Sequence, residues 1–220
     1  LLPFHVFLKH SRLQNATKKA IEFKKDVPSK LCRSLFYGKV DAAVISSIES
    51  RIKKYKKISM GVVAKDRVIS VLVRKNSTRK LDPASMSSNM LSLILNLKGE
   101  VIIGDRALKC YLNEGRDKFY DLGEIWHKKY NLPFVFAKFC CIKNGDFYTG
   151  LVKKFLKQKV KIPQYILAEY AKSRGITKKD ITWYLNFISY KIGAKEEKAF
   201  KIFIKKNSPV RLLNIHSKYT

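Results

Sequence analysis

The chain has 220 residues, 46% of them apolar and 12% aromatic, which fills one large domain or two small lobes and excludes a disordered chain. Its 46 Lys and Arg against 17 Asp and Glu give a net charge of +29, a balance that favours anionic partners. No run approaches the roughly 18–20 apolar residues that cross a bilayer, so a soluble, cytoplasmic protein with no membrane partner is expected. The lysines recur as pairs, such as Lys18-Lys19, Lys53-Lys54 and Lys205-Lys206, between apolar positions at helical spacing. No basic stripe is interleaved with stacking aromatics, which reads as solvated faces that attract small anions, with no nucleic-acid partner.

In chain order, Val6–Leu8 finishes a short strand or begins a helix, and Ile21–Phe23 reads as a strand. Pro28 opens a helix with Ser29 in its first turn, running to about Tyr37 and stopped by Gly38. Val40–Ile45 is a strand whose exit is Ser46-Ser47. This strand, helix, strand order predicts a parallel α/β lobe with ligands gathering beyond Ser46. Met60–Ala64 and Val68–Val73 are β-rich runs. Ser87 or Ser88 caps a helix through Leu97, Val101–Ile103 is a strand ending at Gly104, and Ala107–Asn113 and Glu124–Tyr130 are helices. Pro133–Cys141 returns as a strand. Beyond Phe147 the apolar spacing turns helical, predicting helices at about 146–158, 163–173, 178–191 and 195–206, with a capping box at Thr177-Lys-Lys-Asp180 and an irregular last dozen residues.

The four histidines fit no metal-ligand pattern, and His5 alone lies near a segment that could border a cleft. Cys32, Cys110, Cys140 and Cys141 lack ligand spacing, and the adjacent pair should point to opposite faces of a strand. Neither a metal nor a cofactor is expected. What remains is hydroxyls and main-chain amides at junctions: Ser46-Ser47 after a strand, and Ser85-x-Ser87-Ser88-Asn89 at a helix start. Helix N-termini hold carboxylates or phosphates through unpaired N–H groups. Plain N-capping by Ser87 and Ser88, and an ordinary strand-end turn at Ser46, fit the same residues.

Three segments carry a family resemblance: Val101-Ile-Ile-Gly-Asp-Arg-Ala-Leu108, Asp121-Leu-Gly-Glu-Ile-Trp126 and Leu132-Pro-Phe-Val-Phe-Ala137. With Leu1-Leu-Pro3, Val40–Glu49, Arg67–Val71, Ser87–Asn89 and Tyr190–Gly193 they extend over nearly the whole chain. The chain resembles the chorismate dehydratases of the futalosine route to menaquinone. The family's pocket asparagine would fall one residue before Leu1, so the chain is read as entered partway. Only Asn96–Glu100 separates the serine-headed helix from the Ile-Gly-Asp strand, where relatives carry a further strand and helix.

The resemblance implies an α/β, two-lobed fold of the type II periplasmic-binding-protein kind, with a reduced second lobe and a helical C-terminal region. Residues 1–67 with 139–220 would form lobe 1, and 68–138 lobe 2, joined by two interlobe strands. It implies dehydration of chorismate to 3-[(1-carboxyvinyl)oxy]benzoate, by a lyase with no named catalytic base and proton transfer assisted by a substrate carboxylate. Ser87, Ser88 and the amide of Asn89 would hold one carboxylate, and Ser46 and Ser70 would orient the substrate. Gly104 would let backbone approach it, and Asp105 would fix the loop. Arg106 would pair with a carboxylate, or with Asp121 or Glu124. On this reading, changing Ser87 and Ser88 together to Ala stops turnover and leaves the fold intact. The alternatives are a non-catalytic small-anion solute-binding protein, the sister enzyme acting on cyclic dehypoxanthine futalosine, and a basic nucleic-acid-binding protein.

Overall fold

In the computed structural model, which describes residues 1–207, seven strands form two sheets. The chain opens with α1 (Leu2–His10), where Pro3 sits in the first turn at no hydrogen-bonding cost and Leu2, Phe4, Val6, Phe7 and Leu8 are buried. The segment expected as a strand at Ile21–Phe23 is instead the end of α2 (Asn15–Phe23), none of whose residues is buried. β-branched and aromatic residues favour a strand only where a ladder partner lies beside them, and here none does. α3 (Pro28–Phe36) follows as expected, and Gly38 takes the left-handed φ of +69° after it.

The first sheet has the order β1-β6-β2-β7, from β1 (Ala42–Ser46), β2 (Lys56–Ala64), β6 (Phe134–Cys141) and β7 (Ile188–Lys191). β1 and β2 share a direction, but β6 lies between them and runs against both, pairing Ser46 with Ala137 and Ala64 with Phe134. The expected parallel pairing is therefore replaced by antiparallel ladders between all the named strands. Gly61 makes the β2–β6 approach possible, since a Cβ there would sit 2.1 Å from the Ala137 carbonyl oxygen. β7 occupies residues expected to be helical: Ile188-Ser-Tyr-Lys191 alternates and pairs with β2, a tertiary partner overriding the helical spacing.

The second sheet has the order β4-β3-β5, from β3 (Val71–Arg74), β4 (Glu100–Ile103) and β5 (Phe119–Asp121). Its helices are α4 (Met86–Ile94), α5 (Gly104–Glu114) and α6 (Leu122–Tyr130). Each strand belongs to one sheet, so the crossings are made by the links 65–70 and 131–133, and a seam at 138 falls inside β6. The C-terminal region carries α7 (Gly145–Lys157), α8 (Gln164–Arg174), α9 (Lys178–Leu185) and α10 (Ala194–Asn207), with the Thr177–Asp180 capping box formed. The last dozen residues lie outside the described residues.

One apolar cluster spans both sheets. It joins Ala64, Phe134, Phe136 and Ile188 of the first to Val71, Val73 and Val101 of the second, through Leu91 of α4, Trp126 of α6 and Phe203 of α10. Cys140 and Cys141 enter different clusters on opposite faces of β6, as the strand period requires.

Candidate functional site

β1 ends at Ser46, and the start of α4 abuts that exit. The hydroxyls of Ser46 and Ser87 share a 2.6 Å hydrogen bond, and those of Ser47 and Ser87 one of 2.9 Å. The Ile48 N–H donates to the Ser87 hydroxyl at 3.1 Å, and the Ser87 N–H donates to the Ser46 hydroxyl at 3.1 Å. A hydroxyl offers one proton and two lone pairs, so three partners saturate the fully buried Ser87.

The helix cap is Ser85, whose side chain accepts from the Ser88 N–H, so Ser87 and Ser88 lie in the first turn of α4 instead of capping it. The Ser88 and Ser85 hydroxyls share a 2.8 Å bond. Asn89 grips the backbone of Asp82 twice: its Oδ1 accepts the Asp82 N–H at 2.9 Å and its Nδ2 donates to the Asp82 carbonyl at 2.8 Å. Its own N–H donates to the Ser85 carbonyl at 3.2 Å. The hydroxyls and amides expected to meet a carboxylate thus have internal partners, and they shape the segment 82–86.

Beside this lock lies a crevice of about 250 Å³. It is lined by Ser29, Lys30, Cys32 and Arg33 of α3, by Ser46 and Glu49, and by Pro83, Ala84 and Met86. Lys30, which also pairs with Asp26 at 3.4 Å, and Arg33 bring positive charge to the crevice beside the Glu49 carboxylate, and with the Ser46 hydroxyl they are a set that can bind a carboxylate. Of the residues expected from the sequence, Ser46 alone borders this crevice, and Ser87 is hydrogen-bonded to it. Lys30, Arg33 and Glu49 were missed. The signal available was Pro28-Ser-Lys30, a helix opening with a cation in its first turn.

Ser70, Gly104 and Asp105 form a second group. The Gly104 N–H donates to the Ser70 carbonyl at 2.7 Å, and the Ser70 hydroxyl shares a 2.9 Å bond with the Tyr184 hydroxyl of α9. α5 begins at Gly104, three residues earlier than expected, so Asp105 lies in a helical first turn. A Cβ at Gly104 would meet nothing within 4 Å, and the glycine answers its φ of +65° rather than a close approach of other protein atoms. Asp105 pairs with Arg174 of α8 at 2.7 Å. Arg106 lies 3.2 Å from Glu100 and 3.9 Å from Asp82, not beside Asp121 or Glu124. Glu124 pairs with Arg116 and Lys128.

His5 lines a separate, mostly apolar cavity of about 400 Å³ between α1, α2 and β1, which shares no lining residue with the crevice. Burial, reinforced by the charge of Lys25 and opposed by Glu22, lowers its pKa to about 4. Among the described residues no helix is long and apolar enough to cross a membrane.

A family model described as menaquinone biosynthesis matches residues 83–208. The chain is 50% identical over 206 residues to a curated chorismate dehydratase from Campylobacter jejuni subsp. jejuni serotype O:23/36 (strain 81-176), an alignment covering 93% of this chain and 92% of that protein. Among solved structures, protein AF1704 from Archaeoglobus fulgidus superposes with a TM-score of 0.64 at 17% identity, covering 84% of each chain. The periplasmic aliphatic sulphonate binding protein SsuA from Escherichia coli gives 0.50 at 14% identity, over 94% of this chain and 84% of that one. These two likenesses show the fold, a mixed α/β arrangement of the periplasmic-binding-protein kind with a helical C-terminal region. The match over more than half the chain, together with half-identity to a relative along nearly its whole length, shows that the chain belongs to the menaquinone biosynthesis family.

Proposed function

We propose that the chain is a chorismate dehydratase, a lyase that converts chorismate to 3-[(1-carboxyvinyl)oxy]benzoate in menaquinone biosynthesis by the futalosine pathway. The observation that carries this reading is the 50% identity over 93% of the chain to a protein of that name. The cationic crevice supports it. Lys30 and Arg33 take one substrate carboxylate, and Ser46, held by Ser87, orients the ring. The proton on the ring carbon bearing the enolpyruvyl ether leaves, the neighbouring hydroxyl departs with it as water, and the ring becomes aromatic. Aromatisation supplies the driving force, so the protein contributes orientation and a path for the proton, which a substrate carboxylate accepts. On this reading the protein works in the cytoplasm on a small dicarboxylate, without a nucleic-acid partner.

The test is direct. Purified protein mixed with chorismate is followed by ultraviolet absorption, and the aromatic product is expected to accumulate with turnover. Chorismate retained unchanged points to a solute-binding protein and overturns the enzymatic reading.

A further inference from the structure

The link from β2 to β3 contains a backbone conformation that its residue disfavours. Ile69 has a φ of +62° and is fully buried. The Ser70 N–H donates to the Val68 carbonyl at 2.7 Å, closing a three-residue turn around Ile69. A γ-turn with positive φ at its centre is rare and strained, and a β-branched residue there is a steric outlier. Such strain costs of order 1–3 kcal/mol and persists only where the surroundings enforce it.

Asp121, at the junction of β5 and α6, supplies that enforcement. Its carboxylate accepts the Val68 N–H at 3.0 and 3.1 Å and the Ile69 N–H at 2.7 Å, and it also caps α6 by accepting the Glu124 N–H at 3.0 Å. Its residue is 8% exposed. Gly123 lets the start of α6 press on the same link, since a Cβ there would lie 3.1 Å from the Val68 nitrogen and 3.2 Å from the Arg67 carbonyl carbon. Downstream of the turn, Ser70 holds Gly104 through its carbonyl and Tyr184 through its hydroxyl.

We propose that Asp121 is a positioning residue for the dehydration: by clasping the strained turn at Val68–Ser70 it fixes Ser70 and the start of α5, and it holds Val68 in the apolar cluster that contains Ile48 and against which Met86 of the crevice packs. The inference rests on the dehydratase reading, and it assigns Asp121-Leu-Gly-Glu124 a role that simple helix capping does not contain. The clasp rests on Oδ2, which accepts from both the Val68 and the Ile69 N–H, whereas the cap uses Oδ1 close to its own backbone.

Asp121→Ser separates these roles, because serine is a good N-cap but too short to span to Val68 and Ile69. The variant is expected to fold with a melting temperature lowered by several degrees, because two buried N–H groups lose their acceptor, to lose about ten- to a hundredfold in kcat with a smaller change in KM, and to exchange the Val68 and Ile69 amides faster. Asp121→Asn, whose one oxygen can take the place of Oδ2, should recover part of the loss; if the serine variant does not fold, Asp121→Thr, another short N-cap, replaces it. A folded Asp121→Ser or Asp121→Thr protein with kcat within twofold of the parent, or with unchanged exchange at Val68 and Ile69, overturns the proposal. A parent chain that does not turn over chorismate overturns the dehydratase reading instead, and the amide exchange then decides the clasp on its own.

Discussion

At the scale of single residues, Ser87 has the most consequence. Its hydroxyl joins Ser46, Ser47 and Ile48 across 40 residues of sequence, and its burial leaves no water to replace them. Changing Ser87 and Ser88 together to Ala therefore costs stability as well as turnover, in contrast to a pure substrate contact. Leaving buried partners unsatisfied costs about 1–3 kcal/mol each, so urea denaturation should register a loss of at least that size. His5 makes a second residue-scale prediction. Its folded pKa of about 4 lies below the ordinary 6.5, so the fold favours the neutral ring. The resulting stability is present above pH 6.5 and is lost as the pH falls from there through about 4. Melting temperatures measured across that window should fall in the parent and fall less in His5→Phe, which carries no charge to bury. Equal slopes would remove His5 as the cause.

At the scale of elements, position depends on neighbours more than on local preference. α4 starts where Ser85 accepts from Ser88, and the Asp82–Asn89 clasp holds the preceding segment against the crevice. β2 and β6 can approach only because Gly61 has no side chain. Gly61→Ala would drive a Cβ into the Ala137 carbonyl, and overpacking of that kind costs about 1–3 kcal/mol. Chemical denaturation should show the loss, and a substitution without effect would mean that the ladder opens there at no cost. β7 and α2 illustrate the same dependence in opposite directions: one gains the edge of β2 and becomes a strand, the other has no ladder beside it and stays helical.

At the scale of the whole molecule, two features combine. The apolar cluster through Trp126, Phe134 and Phe203 ties the sheets into one body, so the relation between the crevice walls is set by core packing and by the Ser87 bonds to Ser46, Ser47 and Ile48. Around that body the charge of +29 produces a field that draws in a doubly negative substrate. The kcat/KM for chorismate should fall as ionic strength rises from about 0.01 M to 0.15 M, while kcat changes little, because screening acts on encounter. A kcat/KM independent of salt would show that the lysines serve solvation alone.

The sequence by itself determined the class of fold, most element positions and the family, because apolar spacing, proline and glycine stops and short motifs are local properties of a chain. Only the tertiary structure decided that Ser87 is saturated, that Asp121 reaches back to Val68 and Ile69, that Lys30 and Arg33 face Ser46, and that the ladders are antiparallel. Those facts depend on which segments pack against one another. A hydroxyl or carboxylate has no fixed role until the fold supplies, or withholds, its partners.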